Sequence, residues 1–195
     1  QFWLSYIDSL IQLGQLDNAR SILKDGQRSG LKGDAVDQLE SRLRVDAKPT
    51  GSLQGSLNHL AGLYNAGKLE EALAYGAPLS KTFPGDANIP NILGASHSGL
   101  GQYEEAIAHY NRAIELKPNS PEIYNNLGIA FKSANLYEEA ISNYHKAIEL
   151  KSDYAEAYNN LGNAFNKLGR YEEAVSNFNK VLEIRIGATN FFSLL

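Results

Sequence analysis

The chain has 195 residues, with 18 Lys or Arg against 22 Asp or Glu, which gives a formal net charge of −4. Its acidic and basic residues are interspersed, whereas nucleic-acid-binding proteins usually carry a basic domain or a basic stripe. No apolar run approaches the roughly 20 residues of a membrane span, and the absence of cysteine excludes disulfides and thiolate metal sites. We therefore expect neither nucleic acid nor membrane as a partner, and a cytoplasmic location.

The first 45 residues predict a helix pair followed by an extra helix. The segment LGQLDNA, from Leu13, matches LGQYEEA, from Leu100, at a distance of 87 residues (100 − 13). DAVDQLESRLRV (34–45) has the spacing of an amphipathic helix, and DAKPTGS (46–52) is typical of a linker. The apolar positions of the helix pair are Trp3, Tyr6, Leu10, Leu16, Ala19 and Leu23.

A repeat governs the rest of the chain. AGKLEEA begins at Ala66, LGQYEEA at Leu100, ANLYEEA at Ala134 and LGRYEEA at Leu168, each 34 residues after the one before (100 − 66, 134 − 100, 168 − 134). A fixed period of this length is the signature of a repeat architecture. The pattern predicts four repeats over residues 53–186, at approximately 53–86, 87–120, 121–154 and 155–188, followed at 189–195 by the start of a truncated next helix.

Each repeat unit predicts two helices joined by a tight turn. In the third unit Tyr124, Leu127 and Phe131 follow the spacing of one helical face. Asn135 stands at the turn, where the sister units have glycine, and these two residue types most readily adopt the left-handed conformation that ends a helix. The second helix begins with acidic residues at Glu138, where the helix dipole favours them.

These residues resemble the tetratricopeptide repeat (TPR). The third copy carries the pattern of that family at Tyr124, Leu127, Gly128, Phe131, Tyr137, Ala140, Tyr144 and Ala147. The copies depart from it where Leu60 replaces a glycine, where Pro90 and His97 replace aromatic residues, and where Ser152 replaces a proline. The resemblance implies an all-α fold, a right-handed α-solenoid of helix-turn-helix repeats in which residues 1–45 end a preceding TPR-like unit. The first helix of each pair would line a concave groove.

A strip of polar residues follows that first helix on the side opposite to its apolar face. Asn91, Asn125 and Asn159 form one row at the 34-residue step, and Asn126 and Asn160 form a second row. An amide carries both a donor and an acceptor, so such rows could bind the backbone of an extended peptide, although a merely solvated face is the alternative. We predict a peptide-binding groove formed by Asn91, Glu122, Asn125, Asn126, Lys132, Glu156, Asn159, Asn160, Asn163, Asn166 and Lys167.

The second asparagine row resembles the asparagine ladder in the TPR region of O-GlcNAc transferases, with two rungs because Ile92 interrupts it. The order of the segments likewise resembles bacterial multidomain TPR proteins of that kind. Binding of a chaperone C-terminal carboxylate is not expected, because the inner rows hold Glu and Asn in place of Lys and Arg. None of the four histidines has a second histidine at helical spacing, so we expect no metal, no cofactor and no catalytic residues.

The resemblance thus implies a non-catalytic scaffold that binds an extended peptide or protein segment in its groove. A second hypothesis is a substrate-recruiting region of a larger glycosyl-, sulfo- or methyltransferase, because the chain lacks an initiator methionine and is expected to be a segment of a longer protein. A third is self-association through the C-terminal end, where uncapped apolar residues invite stacking. Those residues are Phe191, Phe192, Leu194 and Leu195.

Overall fold

The computed structural model describes residues 2–12, 16–45 and 52–192, and all of its regular structure in these ranges is α-helical. The prediction of an all-α fold is thereby confirmed. In chain order the helices are α1 (Phe2–Gln12), α2 (Leu16–Arg28), α3 (Asp34–Val45), α4 (Leu53–Asn65), α5 (Leu69–Thr82), α6 (Asn88–Gly99), α7 (Tyr103–Leu116), α8 (Pro121–Ser133), α9 (Tyr137–Leu150), α10 (Ala155–Lys167) and α11 (Tyr171–Phe192).

From α4 onward the helices form pairs, which we call helix A (α4, α6, α8, α10) and helix B (α5, α7, α9, α11). The turn between α8 and α9 contains Asn135 with a φ of 63°, the left-handed conformation predicted for it. The backbone N–H of Leu136 donates to the carbonyl of Phe131 at 2.9 Å, which closes the end of α8. This bond spans the distance of a Schellman motif, so the turn satisfies a carbonyl that a helix end leaves unpaired.

Within a pair, a glycine of helix A lets helix B approach closely. A Cβ placed on Gly128 would lie 2.5 Å from the ring of Tyr144, whose side chain is completely buried. Gly162 has the same relation to Phe178. The ring of helix B therefore lies directly on the backbone of helix A, and this contact fixes the distance between the two helices.

The two kinds of helix contribute differently to the stacking of the repeats. Helix A of each repeat contacts helix A of the next, and helix B contacts the following helix A. Among the described residues, no Cα atom of helix B in one repeat lies within 8 Å of a Cα atom of helix B in the next. Since the A helices lie closer together than the B helices, the array curves toward its A side, and helix A lines the concave surface.

Helices α1, α2 and α3 contact one another and bury a separate apolar core that includes Ile7, Leu10 and Leu39. Of the predicted linker, residues 46–51 lie outside the described residues. Its last residue, Ser52, belongs to the repeats, because its hydroxyl oxygen accepts a hydrogen bond from the backbone N–H of Gly55 and caps α4.

The C-terminal helix differs from its predicted bounds. The pattern placed the start of a new helix at 189–195, but α11 continues without interruption to Phe192, and residues 193–195 lie outside the described residues. Ile186 occupies the position that holds Pro118 two repeats earlier and Ser152 one repeat earlier (118 + 68, 152 + 34). Because Ile186 neither breaks a helix nor caps a new one, the helix has no reason to end there.

Candidate functional site

The asparagines of the two rows pair with each other across neighbouring repeats. Asn160 on α10 donates from Nδ2 to Oδ1 of Asn125 on α8 at 3.0 Å. Asn125 in turn donates from Nδ2 to Oε1 of Glu156 at 3.1 Å. Asn125 is 1% exposed and Asn160 is 8% exposed. Both the nitrogen and the oxygen of the Asn125 amide are therefore engaged by contacts within the protein.

The preceding repeat boundary has the same arrangement. Asn126 on α8 donates from Nδ2 to Oδ1 of Asn91 on α6 at 3.2 Å, and both side chains are half-buried. Each pair joins a residue to the residue 35 positions later (126 − 91, 160 − 125). A first-row asparagine thus accepts from a second-row asparagine of the next repeat, and the pairs connect successive A helices.

These contacts bear on the predicted site. Asn125 and Asn160 were predicted to bind a peptide, but both side chains are buried, and their hydrogen bond occupies Oδ1 of Asn125 and Nδ2 of Asn160. Asn91 and Asn126 offer only the part of each amide that the other does not use. The sequence contains both partners of each pair, but the rows were compared at a step of 34 residues. The hydrogen-bonded partners are 35 residues apart, so the comparison did not reveal the pairs.

Other predicted residues do lie on the exposed surface of the A helices. Glu122 on α8 and Glu156, Asn159, Asn163, Asn166 and Lys167 on α10 are exposed, and Lys132 on α8 is half-buried. No hydrogen bond or ion pair within the described residues engages the side chain of Asn159, Asn163 or Asn166. They are spaced four and three residues apart, so they share one side of α10.

A cleft of about 560 Å³ lies between the C-terminal ends of α8 and α10. Its lining consists of Lys132, Ser133, Asn135, Tyr137, Asn163, Asn166 and Lys167. Four of these residues belong to the predicted site. Ser133, which ends α8, and Asn135 and Tyr137, which follow it, were not predicted. The hydroxyl of Tyr137 donates to Oδ1 of Asn135 at 2.8 Å, so the wall of the cleft is already ordered by an internal hydrogen bond.

The opposite edge of the same surface is acidic. At the first turn of α8, the backbone N–H of Glu122 lowers the pKa of its own carboxyl, and the hydroxyl of Ser120 donates to it at 2.8 Å. Lys151 and Lys117 lower this pKa further. On Tyr154, burial raises the pKa to about 12, and the charge of Glu156 adds to the effect. The A-helix surface therefore has carboxylates at the N-terminal ends of α8 and α10 and ammonium groups at their C-terminal ends.

The histidines form ring contacts. His97 and His109 are stacked with ring centroids 5.1 Å apart, and Nδ1 of His97 lies 2.7 Å from Oε1 of Gln102. Burial lowers the pKa of His109, and the neighbouring His97 lowers it further. Across residues 2–12, 16–45 and 52–192 there is no group of three or more side chains suited to hold a metal ion.

A larger cavity of about 820 Å³ separates α2 and α3 from the first repeat. Much of its polar lining is paired internally: Lys68 contacts Glu71 at 3.1 Å, and Gln27 donates to Glu40 at 2.5 Å. Arg20 donates to the backbone carbonyl of Leu43 at 2.9 Å. Because these groups are engaged with each other, we consider the smaller cleft, with its uncommitted amides, the better candidate site.

Family models of helical repeats match several segments of the chain. The model described as TPR repeat matches residues 99–135 and 130–169, and the model described as tetratricopeptide repeat matches residues 155–185. The model described as PPR repeat matches residues 2–31, the segment that forms α1 and α2. No curated protein sequence matches the chain.

Solved structures share the fold. A crystal structure of MamA aligns with a TM-score of 0.67 at 22% identity, over 94% of this chain and 96% of that chain. A second MamA crystal structure aligns with a TM-score of 0.65 at 22% identity, over 97% of this chain and 93% of that chain. The structure titled MamA 41-end from Desulfovibrio magneticus RS-1 has a TM-score of 0.65 at 18% identity, over 95% and 94% of the two chains.

The predicted repeat is confirmed by these findings, whereas the closer resemblance to O-GlcNAc-transferase-like proteins stays a prediction. In the part of the chain that the structure describes, no helix combines the length and the apolarity needed to cross a bilayer. The family models and the fold agree with the 34-residue period and with the helix pairs. Residues 99–185 are therefore tetratricopeptide repeats, and the chain folds as an α-solenoid of the kind these repeats build.

Proposed function

We propose that the chain is a protein-binding scaffold whose A-helix surface binds an extended segment of a partner protein. The observation that carries the proposal is the row of uncommitted amides on α10, Asn159, Asn163 and Asn166, beside the cleft that also contains Lys132 and Lys167. We call these five residues the amide–lysine surface. Stacked repeats commonly use their concave side in this way, because it presents a long surface.

The chemistry of this surface suits a peptide backbone. An extended segment presents N–H donors and C=O acceptors along its length, and an asparagine amide can pair with either. Lys132 and Lys167 have no ion pair among the described residues, so they can contact an acidic side chain of the partner. Such a contact is exposed and therefore adds orientation more than affinity.

The internal amide pairs support the same function indirectly. The bond from Asn160 to Asn125 and the bond from Asn126 to Asn91 hold three successive A helices in register. A surface that is already ordered before binding loses little conformational freedom when the partner docks. In this proposal the buried asparagines support binding by fixing the positions of the A helices. The exposed asparagines contact the partner segment directly.

The test is a selection of random peptides displayed on phage against the 195-residue chain, followed by affinity measurement of each selected peptide. The double variant Asn163→Ala/Lys167→Ala should bind these peptides about tenfold or more weakly, since it removes an amide contact and a charge. The matched control is Asn111→Ala/Lys81→Ala, which removes the same two residue types from exposed positions on helix B. Peptides that bind the two double variants equally well would overturn the proposal.

A further inference from the structure

The cleft between the C-terminal ends of α8 and α10 carries a net positive charge. Lys132 and Lys167 line it, and no acidic residue is among its described lining residues. Neither lysine forms an ion pair within the described residues, whereas Lys68, Lys146 and Lys180 each pair with a glutamate three residues later. The cleft therefore contains two positive charges that the protein itself does not neutralise.

The neutral groups of the cleft add hydrogen-bond donors to these charges. The hydroxyl of Tyr137 donates to Oδ1 of Asn135, so Nδ2 of Asn135 is the part of that amide without a partner among the described residues. The side-chain amides of Asn163 and Asn166 are likewise uncommitted there, and the hydroxyl of Ser133 can also donate. An oxyanion in this cleft would thus accept hydrogen bonds from ammonium, amide and hydroxyl groups.

Both walls of the cleft are formed by adjacent repeats inside the array. Asn163 and Lys167 lie three and seven residues after Asn160, whose amide bonds to α8, so they share the side of α10 that faces α8. The opposite wall is the end of α8 and the turn that leads into α9. The cleft is therefore a product of the contact between the third and fourth repeats.

We infer that this cleft binds the phosphoryl group of a phosphorylated serine or threonine in the partner segment. The inference rests on the proposed function and specifies the chemistry of its partner. At neutral pH a phosphoryl group on serine carries a charge of about −1.5 to −2 and three strong acceptor oxygens. It can neutralise Lys132 and Lys167 together and accept from the amides as well. A carboxylate carries a single charge and two oxygens, so it would leave one lysine uncompensated.

The position of the cleft favours a protein segment as the source of this group. Asn163 and Asn166 belong both to the lining of the cleft and to the row of amides along α10. A segment that lies along this row therefore passes the cleft and can place one side chain in it. The amides then contact the backbone of the segment, and the two lysines contact its phosphorylated residue.

The test uses three random peptide libraries that differ only at a fixed central position, which holds phosphoserine, serine or glutamate. Each library is selected on the 195-residue chain, and every selected peptide is then measured with each of the three residues at that position. We expect the phosphoserine form to bind about tenfold or more tightly than the serine and glutamate forms. Because this comparison alters only the peptide, the folding of the protein does not affect it.

Two variants of the protein locate the preference for phosphoserine. The variant Lys132→Gln/Lys167→Gln should lose this preference, because it removes both charges of the cleft. The matched control Lys32→Gln/Lys81→Gln removes the same charge from exposed positions outside the cleft and should keep it. Circular dichroism should be the same for both variants and the unaltered chain.

Equal affinity for the phosphoserine and serine forms would overturn the inference, and so would a preference that survives in Lys132→Gln/Lys167→Gln. If such peptides still bind more weakly to Asn163→Ala/Lys167→Ala, the proposed function stands without the inference. Glutamate forms that bind as tightly as phosphoserine forms would show that one negative charge suffices, and inorganic phosphate that binds as tightly as the peptides would assign the cleft to a small phosphorylated molecule. Either result overturns the inference. Three libraries that yield no binding peptide would overturn it together with the proposed function.

Discussion

Replacing Asn125 by alanine should destabilise the array at one repeat boundary. The substitution leaves Nδ2 of Asn160 buried without its acceptor, and an unsatisfied buried donor costs about 1–3 kcal/mol. The lost bond to Glu156 costs little because that carboxylate is exposed to water. Alanine returns about 0.5 kcal/mol through its higher helix propensity. The net effect is a loss of about 1.5 kcal/mol from the local free energy of unfolding.

The assay is amide hydrogen exchange, because a stacked array can open locally and need not unfold in one step. A loss of about 1.5 kcal/mol speeds exchange by roughly tenfold, and we expect this in α8 and α10 but not in α4. The matched control is Asn159→Ala. It alters the same repeat position one unit later, where the side chain is exposed, and should change the free energy by less than about 0.5 kcal/mol.

The double variant Asn125→Ala/Asn160→Ala tests whether the two asparagines stabilise the array as a pair or independently of each other. Once Asn125 is gone, removing Asn160 eliminates the orphaned donor, so the double variant should lose about 1–2 kcal/mol less than the sum of the two single variants. Losses that add to within about 0.5 kcal/mol would refute the reasoning, because independent sites behave in that way.

Two further predictions concern the contacts between helices. Gly128→Ala should lower the free energy of unfolding by about 1–3 kcal/mol in a denaturation experiment, because the new Cβ meets the buried ring of Tyr144; unchanged stability would contradict this. The lowered pKa of His109 favours its neutral form in the folded state, so its contribution to stability is fully present above the ordinary value of 6.5 and is lost as the pH falls from there through the lower pKa of the folded state. Denaturation on both sides of pH 6.5 should show a smaller acid-induced loss for His109→Gln, and an equal loss would refute the role of this ring.

The sequence predicted the fold because its period and its turn residues are local features. The 34-residue step of the LGQYEEA motif and the left-handed residue at Asn135 define the repeat without any tertiary information. The end of α11 could not be placed in the same way. The period implied a turn after the last pair, but Ile186 supplies neither a proline nor a cap, and the helix continues to Phe192. The residue type at position 186, and not the period of the repeat, therefore determines whether the helix ends there.

The candidate site was only partly predictable for a different reason. A helical wheel assigns a side chain to a face, but it does not show how far the neighbouring repeat extends over that face. Asn125 and Asn159 are equivalent on the wheel, yet the first is buried under Glu156 and Asn160 and the second is exposed. The difference arises because the repeat after α10 contributes no A helix among the described residues, whereas α10 itself covers Asn125.

The buried amide pair gives a reason for the asparagines at positions 125 and 160 despite the modest helix propensity of this residue. A leucine at position 125 could fill the same space between α8 and α10. Its apolar contacts have no preferred direction, so they would not fix the position of one helix along the other. The amide pair from Asn160 to Asn125 has a direction and a length of 3.0 Å, so it favours a single register of the two A helices. That register sets the spacing between Lys132 on α8 and Asn163 on α10 across the cleft. The geometry of a surface that binds an extended segment would then depend on buried amides that no partner touches.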